Sequence, residues 1–201
     1  MIRLVCLLLL LCALPAYADW NVDATASSLN FVTTKSAQAG SAGVSEVQRF
    51  GTLGGGVDTA GTIRFDVTLA SVDTGIALRD SRMRERLFGS AALASFRAHI
   101  DPLQLSGWTP GRVRELRLDG TLNLNGRDQP CRAFVTVIGL AGGDLLVVTR
   151  QPLVLDARAY GLGDGIEALR TLAGLAQLAP TVPVTFTLLL RKQPAAALNA
   201  Q

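Results

Sequence analysis

The chain has 201 residues, a formal net charge of +3, and 49% apolar residues of which few are aromatic; that length allows one domain with a real core, and so small a charge does not describe a nucleic-acid surface. A single histidine and three cysteines supply too few donors for the usual zinc shells, and no run beyond the N-terminus is apolar for long enough to span a bilayer as a helix. Much of the apolar excess comes from Leu, Val and Ala, side chains that can line a cavity.

Residues 1–18 have the three parts of a secretory leader. Arg3 gives the positive start, residues 4–14 an apolar stretch too short to cross a bilayer, and Ala16-Tyr17-Ala18 the small-x-small pattern of a cleavage site. Cleavage is expected after Ala18, giving an exported, periplasmic protein. Leu10 and Leu11 are bulky where an acylated Cys12 would need a small neighbour, so a lipid anchor is not expected. Losing the leader removes Cys6 and Cys12, and Cys131 alone cannot form an intrachain disulfide.

Strands are expected at 29–34 and 49–53, with a small-residue loop around 40–45 and a turn at 54–56. The next strand places Ile63, Phe65, Val67 and Leu69 on one face and Arg64, Asp66 and Thr68 on the other, the period of two of a half-buried strand. Residues 79–88 read as a short helix with Asp80 and Arg84 one turn apart, and 95–100 as a strand. Then Leu116, Leu118, Leu122 and Leu124 alternate with Arg117, Asp119, Thr121 and Asn123, and Asn125-Gly126 divides this run from Cys131 to Ile138, which carries Val135 and Val137. Asn-Gly is a strong hairpin signal because both residues tolerate the positive φ of a type I′ turn.

A strand is expected at 145–155 and a helix at 164–178, capped by Asp164 and striped by Ile166, Leu169, Leu172 and Leu175. The last strand, 182–191, has Val182, Val184, Phe186, Leu188 and Leu190 on one face; the tail from 193 to 201 is expected to fray. Many antiparallel strands and two short helices argue for a barrel or a sandwich.

Covalent chemistry finds little support. His99 is the only histidine and lies in a predicted strand, with no Gly-x-Ser-x-Gly elbow in the chain. Cys131 follows Pro130 at the start of an apolar strand and behaves most simply as a small buried hydrophobe. Gly54-Gly55-Gly56 lacks the Gly-Lys-Ser/Thr of a phosphate cradle. Arg79, Arg82, Arg84 and Arg86 are partly neutralised by Asp80 and Glu85, which suits a solvated helix face or contact with lipid headgroups. No catalytic residue, no metal ligand and no enzymatic activity are assigned.

The segment from Leu69 to Gly75, followed by Arg79-Asp80 and Met83, resembles the YceI-like family of lipocalin-type polyisoprenoid-binding proteins. So do the hairpin Leu118 to Gly126 with Pro130 after it, Ala159-Tyr160-Gly161-Leu162, and Trp20-Asn21-Val22-Asp23 with Ser28, Leu29 and Phe31. The resemblance follows the family's order along the mature chain. It implies an all-β, lipocalin-like, eight-stranded antiparallel barrel over residues 19–192 with one or two short helices near its ends, and a long apolar tunnel. Two places depart from the family's pattern: Thr33-Thr34-Lys35 stands where a histidine is frequent, and 163–180 is longer and more helical.

An eight-stranded barrel is just wide enough to fill itself with side chains or to hold one slender ligand. In the second case Phe31, Ile63, Phe65, Val67, Leu69, Leu116, Leu118, Leu122, Leu124, Val135, Val137, Val184, Phe186 and Leu188 would line the bore, with Ser71, Arg79 and Asp80 as polar groups near a mouth. The expected ligand is a polyprenyl lipid, an isoprenoid quinone or a fatty amide. Each buried CH₂ contributes about 0.8 kcal/mol, so a few isoprene units exceed the roughly 8 kcal/mol of a micromolar complex. In the first case the module would dock on a membrane protein or anionic lipid surface through its basic helix. Either form is expected as a monomer or homodimer, with no nucleic-acid partner and at most transient membrane-surface contact.

Overall fold

A computed structural model describes residues 19–194; the expected leader, with its cleavage site, and residues 195–201 of the expected tail lie outside the described residues. The chain turns back on itself repeatedly, through β1 (Trp20–Val22), β2 (Ser28–Ser36), β3 (Val44–Phe50), β4 (Leu53–Val57), β5 (Thr62–Thr68) and β6 (Val72–Asp73). Helix α1 (Ala77–Arg82) and a π-helical turn, Met83–Phe88, precede β7 (Leu93–His99). The long hairpin β8 (Val113–Leu124) and β9 (Arg127–Gly139) follows, then β10 (Leu145–Thr149), β11 (Leu153–Asp156), α2 (Gly163–Leu172), β12 (Gln177–Leu178) and β13 (Thr181–Lys192).

Several of these strands are halves of one run. β1 and β2 lie end to end along one edge of β13, and β10 and β11 along its other edge. β3 and β4 pair with β2 and β1, and β5 and β6 with β4 and β3. With β7, β8, β9 and β13 this makes eight antiparallel runs whose order follows the chain and closes on itself, so the sheet is the expected lipocalin-like barrel. Closure leaves β13, the last strand, with no free edge.

The breaks have local causes. Asp23 accepts hydrogen bonds from Thr25 N and Ala26 N and turns the chain between β1 and β2. Between β3 and β4, Ser71 substitutes for a ladder partner: its carbonyl accepts from Gly51 N at 2.9 Å and its hydroxyl from Thr52 N at 3.0 Å. Pro152, which has no N–H to give, sits between β10 and β11. The expected strands 49–53 and 145–155 are therefore each cut in two.

Three other expectations are corrected. Gly54-Gly55-Gly56 lies inside β4 rather than in a turn; it approaches β5 so closely that a Cβ on Gly55 would stand 2.8 Å from the Arg64 carbonyl carbon. The second helix stops at Leu172, because Gly174 follows in the left-handed region at φ 63° and Leu175 leaves the helical stripe. Its N-cap is Leu162, and Asp164 stands in the first turn, where its charge faces the positive end of the helix dipole. The 116–138 hairpin is as expected, with Asn125 and Gly126 at φ 54° and 73°.

Register fixes the two ends of the barrel. Val22, Val57, His99, Val113, Ile138, Leu145 and Leu190 mark one, closed by the connection from β7 to β8 that carries Trp108. At the other, α1, the π-helical turn and α2 gather above Lys35, Val44, Leu93 and Leu124. Two apolar clusters result, a large one along the barrel and a small one under the helices around Phe31, Leu69, Val72, Met83 and Phe88.

Candidate ligand cavity

The inward side chains of the barrel do not fill its centre. They surround a cavity of about 500 Å³ that runs from Trp108 at one end to the helices at the other, within the usual 300–1,000 Å³ of ligand pockets. A barrel filled by its own side chains is thus not what this sequence forms.

Strand alternation brings the predicted residues together. Phe31 from β2, Ile63, Phe65 and Val67 from β5, and Leu69 just beyond it all line the cavity. So do Leu116, Leu118, Leu122 and Leu124 from β8, Val135 and Val137 from β9, and Val184, Phe186 and Leu188 from β13. Phe65 and Phe186 come within 5.9 Å, centroid to centroid, across the bore, and Phe31 stacks on Phe50 at 5.1 Å. Gly120 shares the inward face of β8, and the Phe96 ring occupies the space where its side chain would be.

Of the three predicted polar groups only Arg79 lines the cavity. Ser71 does not, because its hydroxyl is used up at the β3–β4 break, where it also donates to Thr68 O at 2.6 Å. Asp80 does not either: its carboxylate accepts from Thr74 N at 2.9 Å and from the Thr74 hydroxyl, and so it anchors the start of α1 instead of pairing with Arg84.

Sequence reasoning missed the partners of Arg79. Thr33 and Lys35 continue the inward face of β2 beyond Phe31, and Glu46 and Gln48 lie across from them on β3. Glu46 accepts from Lys35 Nζ at 2.9 Å and from Arg79 Nη1 at 2.6 Å, while Arg79 Nη2 donates to Thr74 O at 2.7 Å. The Lys35 ammonium, and after it Arg79, hold the Glu46 carboxyl below the usual glutamate range. Two cations against one carboxylate, with Arg82 also on the lining, leave this end of a mostly apolar cavity, its pole, net positive. Gln48 is buried, with amide contacts of only 3.4 and 3.5 Å, and Arg79 Nε is buried with no partner among the described residues. The Lys35 ammonium, partly exposed on the lining and with Glu46 as its one partner, keeps spare hydrogen-bond donors at the pole.

Trp108 closes the opposite end, its ring covered by the Arg114 guanidinium at 4.5 Å. Its indole N–H is buried and likewise without a partner among the described residues. Cys131 and Tyr160 also face the cavity, and burial pushes the Cys131 thiol above its ordinary value. His99 is exposed at the end of β7. Among the described residues no three metal-ligating side chains gather.

A family model for the YceI-like domain matches residues 20–190. Among solved structures, a polyisoprenoid binding domain from Saccharophagus degradans implicated in plant cell wall breakdown is 35% identical; the match covers 88% of this chain and all of that one, with a TM-score of 0.82. BcnA from Burkholderia cenocepacia matches 84% of this chain and 98% of its own at 18% identity and a TM-score of 0.59, which is a likeness of fold. A comparison with curated proteins finds no match.

Proposed function

Since the chain belongs to the YceI-like family, we propose that its hollow barrel binds and carries one long apolar molecule, a polyprenyl lipid or isoprenoid quinone, in the periplasm and performs no covalent chemistry. The cavity carries this reading: a continuous bore of about 500 Å³ walled mostly by aliphatic and aromatic side chains, with its partly buried charged cluster at the helix end. Apolar surface favours any chain that fills it, by area rather than by direction, so length and girth select the ligand. The pole then orients it, its spare donors meeting the oxygen atoms of a headgroup while the tail points to Trp108. The Saccharophagus relative, a polyisoprenoid binding domain by description, supports the class of ligand. The sequence features of a cleavable leader support export.

Native mass spectrometry of protein purified from its own host is expected to release a hydrophobic small molecule. Repeated apo spectra from such preparations, with no uptake of added prenyl chains, would defeat the proposal. Substituting Leu116→Trp places a large ring in the bore from a half-buried position. It is expected to weaken uptake of a fluorescent prenyl probe by at least roughly tenfold, the equivalent of about 1.4 kcal/mol, while the fold persists.

A further inference from the structure

The helix end of the barrel combines exposed apolar side chains with two arginines, Arg84 and Arg86, whose guanidinium groups bond neither an acid nor a carbonyl among the described residues. Ile76, Leu78 and Leu172 are 52%, 62% and 48% exposed. The first two also line the cavity, and Leu172 is tied beside them by Arg82, whose guanidinium reaches the Leu172 carbonyl at 3.4 Å. Arg82, Arg84 and Arg86 form no ion pair among the described residues. The two nearest acids on this segment are occupied, Asp80 by Thr74 and Glu85 by the Ser81 hydroxyl at 2.8 Å.

The Trp108 end is built otherwise. Leu103 and Val113 are exposed there too, but both nearby arginines are spent on the protein's own carbonyls, Arg112 on Gly107 O and Arg114 on Gln104 O and Ser106 O, whereas at the helix end only Arg82 is. From this asymmetry we infer that the protein docks its helix end on an anionic lipid bilayer, with Ile76, Leu78 and Leu172 entering the acyl layer and Arg82, Arg84 and Arg86 on the lipid phosphates. The inference rests on the carrier reading for its purpose. A prenyl chain moving through water loses a factor of about four in equilibrium for each methylene exposed, and a mouth set into the bilayer lets the chain pass without that exposure.

The full mature chain is tested by flotation with phosphatidylcholine vesicles, with and without a one-third share of phosphatidylglycerol. Binding is expected only to the anionic vesicles and is expected to be lost near 1 M salt, where the Debye length is about 3 Å. The double variant Arg84→Gln, Arg86→Gln should partition about thirtyfold more weakly, roughly fivefold per arginine, yet take up a vesicle-free prenyl probe as the wild type does. An environment-sensitive dye on Leu172→Cys should shift to the blue on vesicles, and the same dye on Leu103→Cys should not.

Equal partition to neutral and anionic vesicles, an unaffected double variant, or a shift at position 103 alone would overturn the inference. So would absence of vesicle binding, which would give the face to a protein partner. Failure of the wild type to take up the probe while vesicle binding persists would defeat the carrier reading and leave the docking surface standing.

Discussion

A methyl group added at Gly120 would lie 2.7 Å from Phe96 Cζ and press on the Arg97 carbonyl. The neighbour is partly backbone of the paired strand, so it cannot swing away. Gly120→Ala is expected to cost about 2 kcal/mol, the scale of overpacking in a tight site, and thermal denaturation should show a midpoint lower by roughly 6 °C. At Cys131 burial raises the thiol's pKa and leaves the thiolate, the reactive form, scarce at neutral pH. Maleimide labelling at pH 7 should be far slower in the folded protein than in urea; equal rates would show a surface thiol. At this scale the apolar lining was legible, because alternation alone sends Phe65, Leu118 or Phe186 inward. The polar pole was not, although its signal is the same: Thr33 and Lys35 stand at even spacing from Phe31, and Glu46 and Gln48 from Phe50. Charged residues in a strand suggest solvent, and only the register with β3 shows that these close over the bore.

Among the elements, the joint between β1 and β2 is held by one carboxylate. The Thr25 hydroxyl and then Arg191 on β13 depress the pKa of Asp23 to about 2 from an ordinary 3.8. A depressed carboxylate contributes stability that is complete above its unfolded pKa and is lost as pH falls through the folded one, so this contribution should fade between about pH 4 and pH 2. Asp23→Asn should melt below the wild type at pH 7, and the gap should close by pH 2; a gap independent of pH would remove the carboxylate from the account. The elements themselves were legible where side chains alternate, as in β5, β8, β9 and β13. Their interruptions were not, since a break such as Gly51-Thr52 is completed by Ser71, some twenty residues away, and no local pattern carries that pairing. Glycines in β4 mimic a turn because they have no side chain to alternate. The end of α2 was marked by Gly174, but apolar spacing continued past it and concealed the stop.

For the molecule as a whole, occupancy of the bore stabilises the folded state by mass action. A ligand at a hundred times its Kd contributes about 2.7 kcal/mol, so a saturating prenyl probe is expected to raise the Tm by roughly 5–10 °C and to raise that of Leu116→Trp hardly at all. An unchanged wild-type Tm at saturation would be incompatible with a cavity that exists only when folded. The order of the eight runs follows the chain, so each pairing but one joins close neighbours in sequence. The exception is the seam, where Asn21 faces Arg191 and Phe31 faces Val184. During synthesis or export this junction must wait for the final segment to emerge. Until then the inner wall is a curved open sheet with two bare margins, vulnerable to pairing with another chain. A protein cut short before Thr181 keeps nearly all its grease and loses the strand that encloses it, so it should aggregate instead of folding into a smaller barrel.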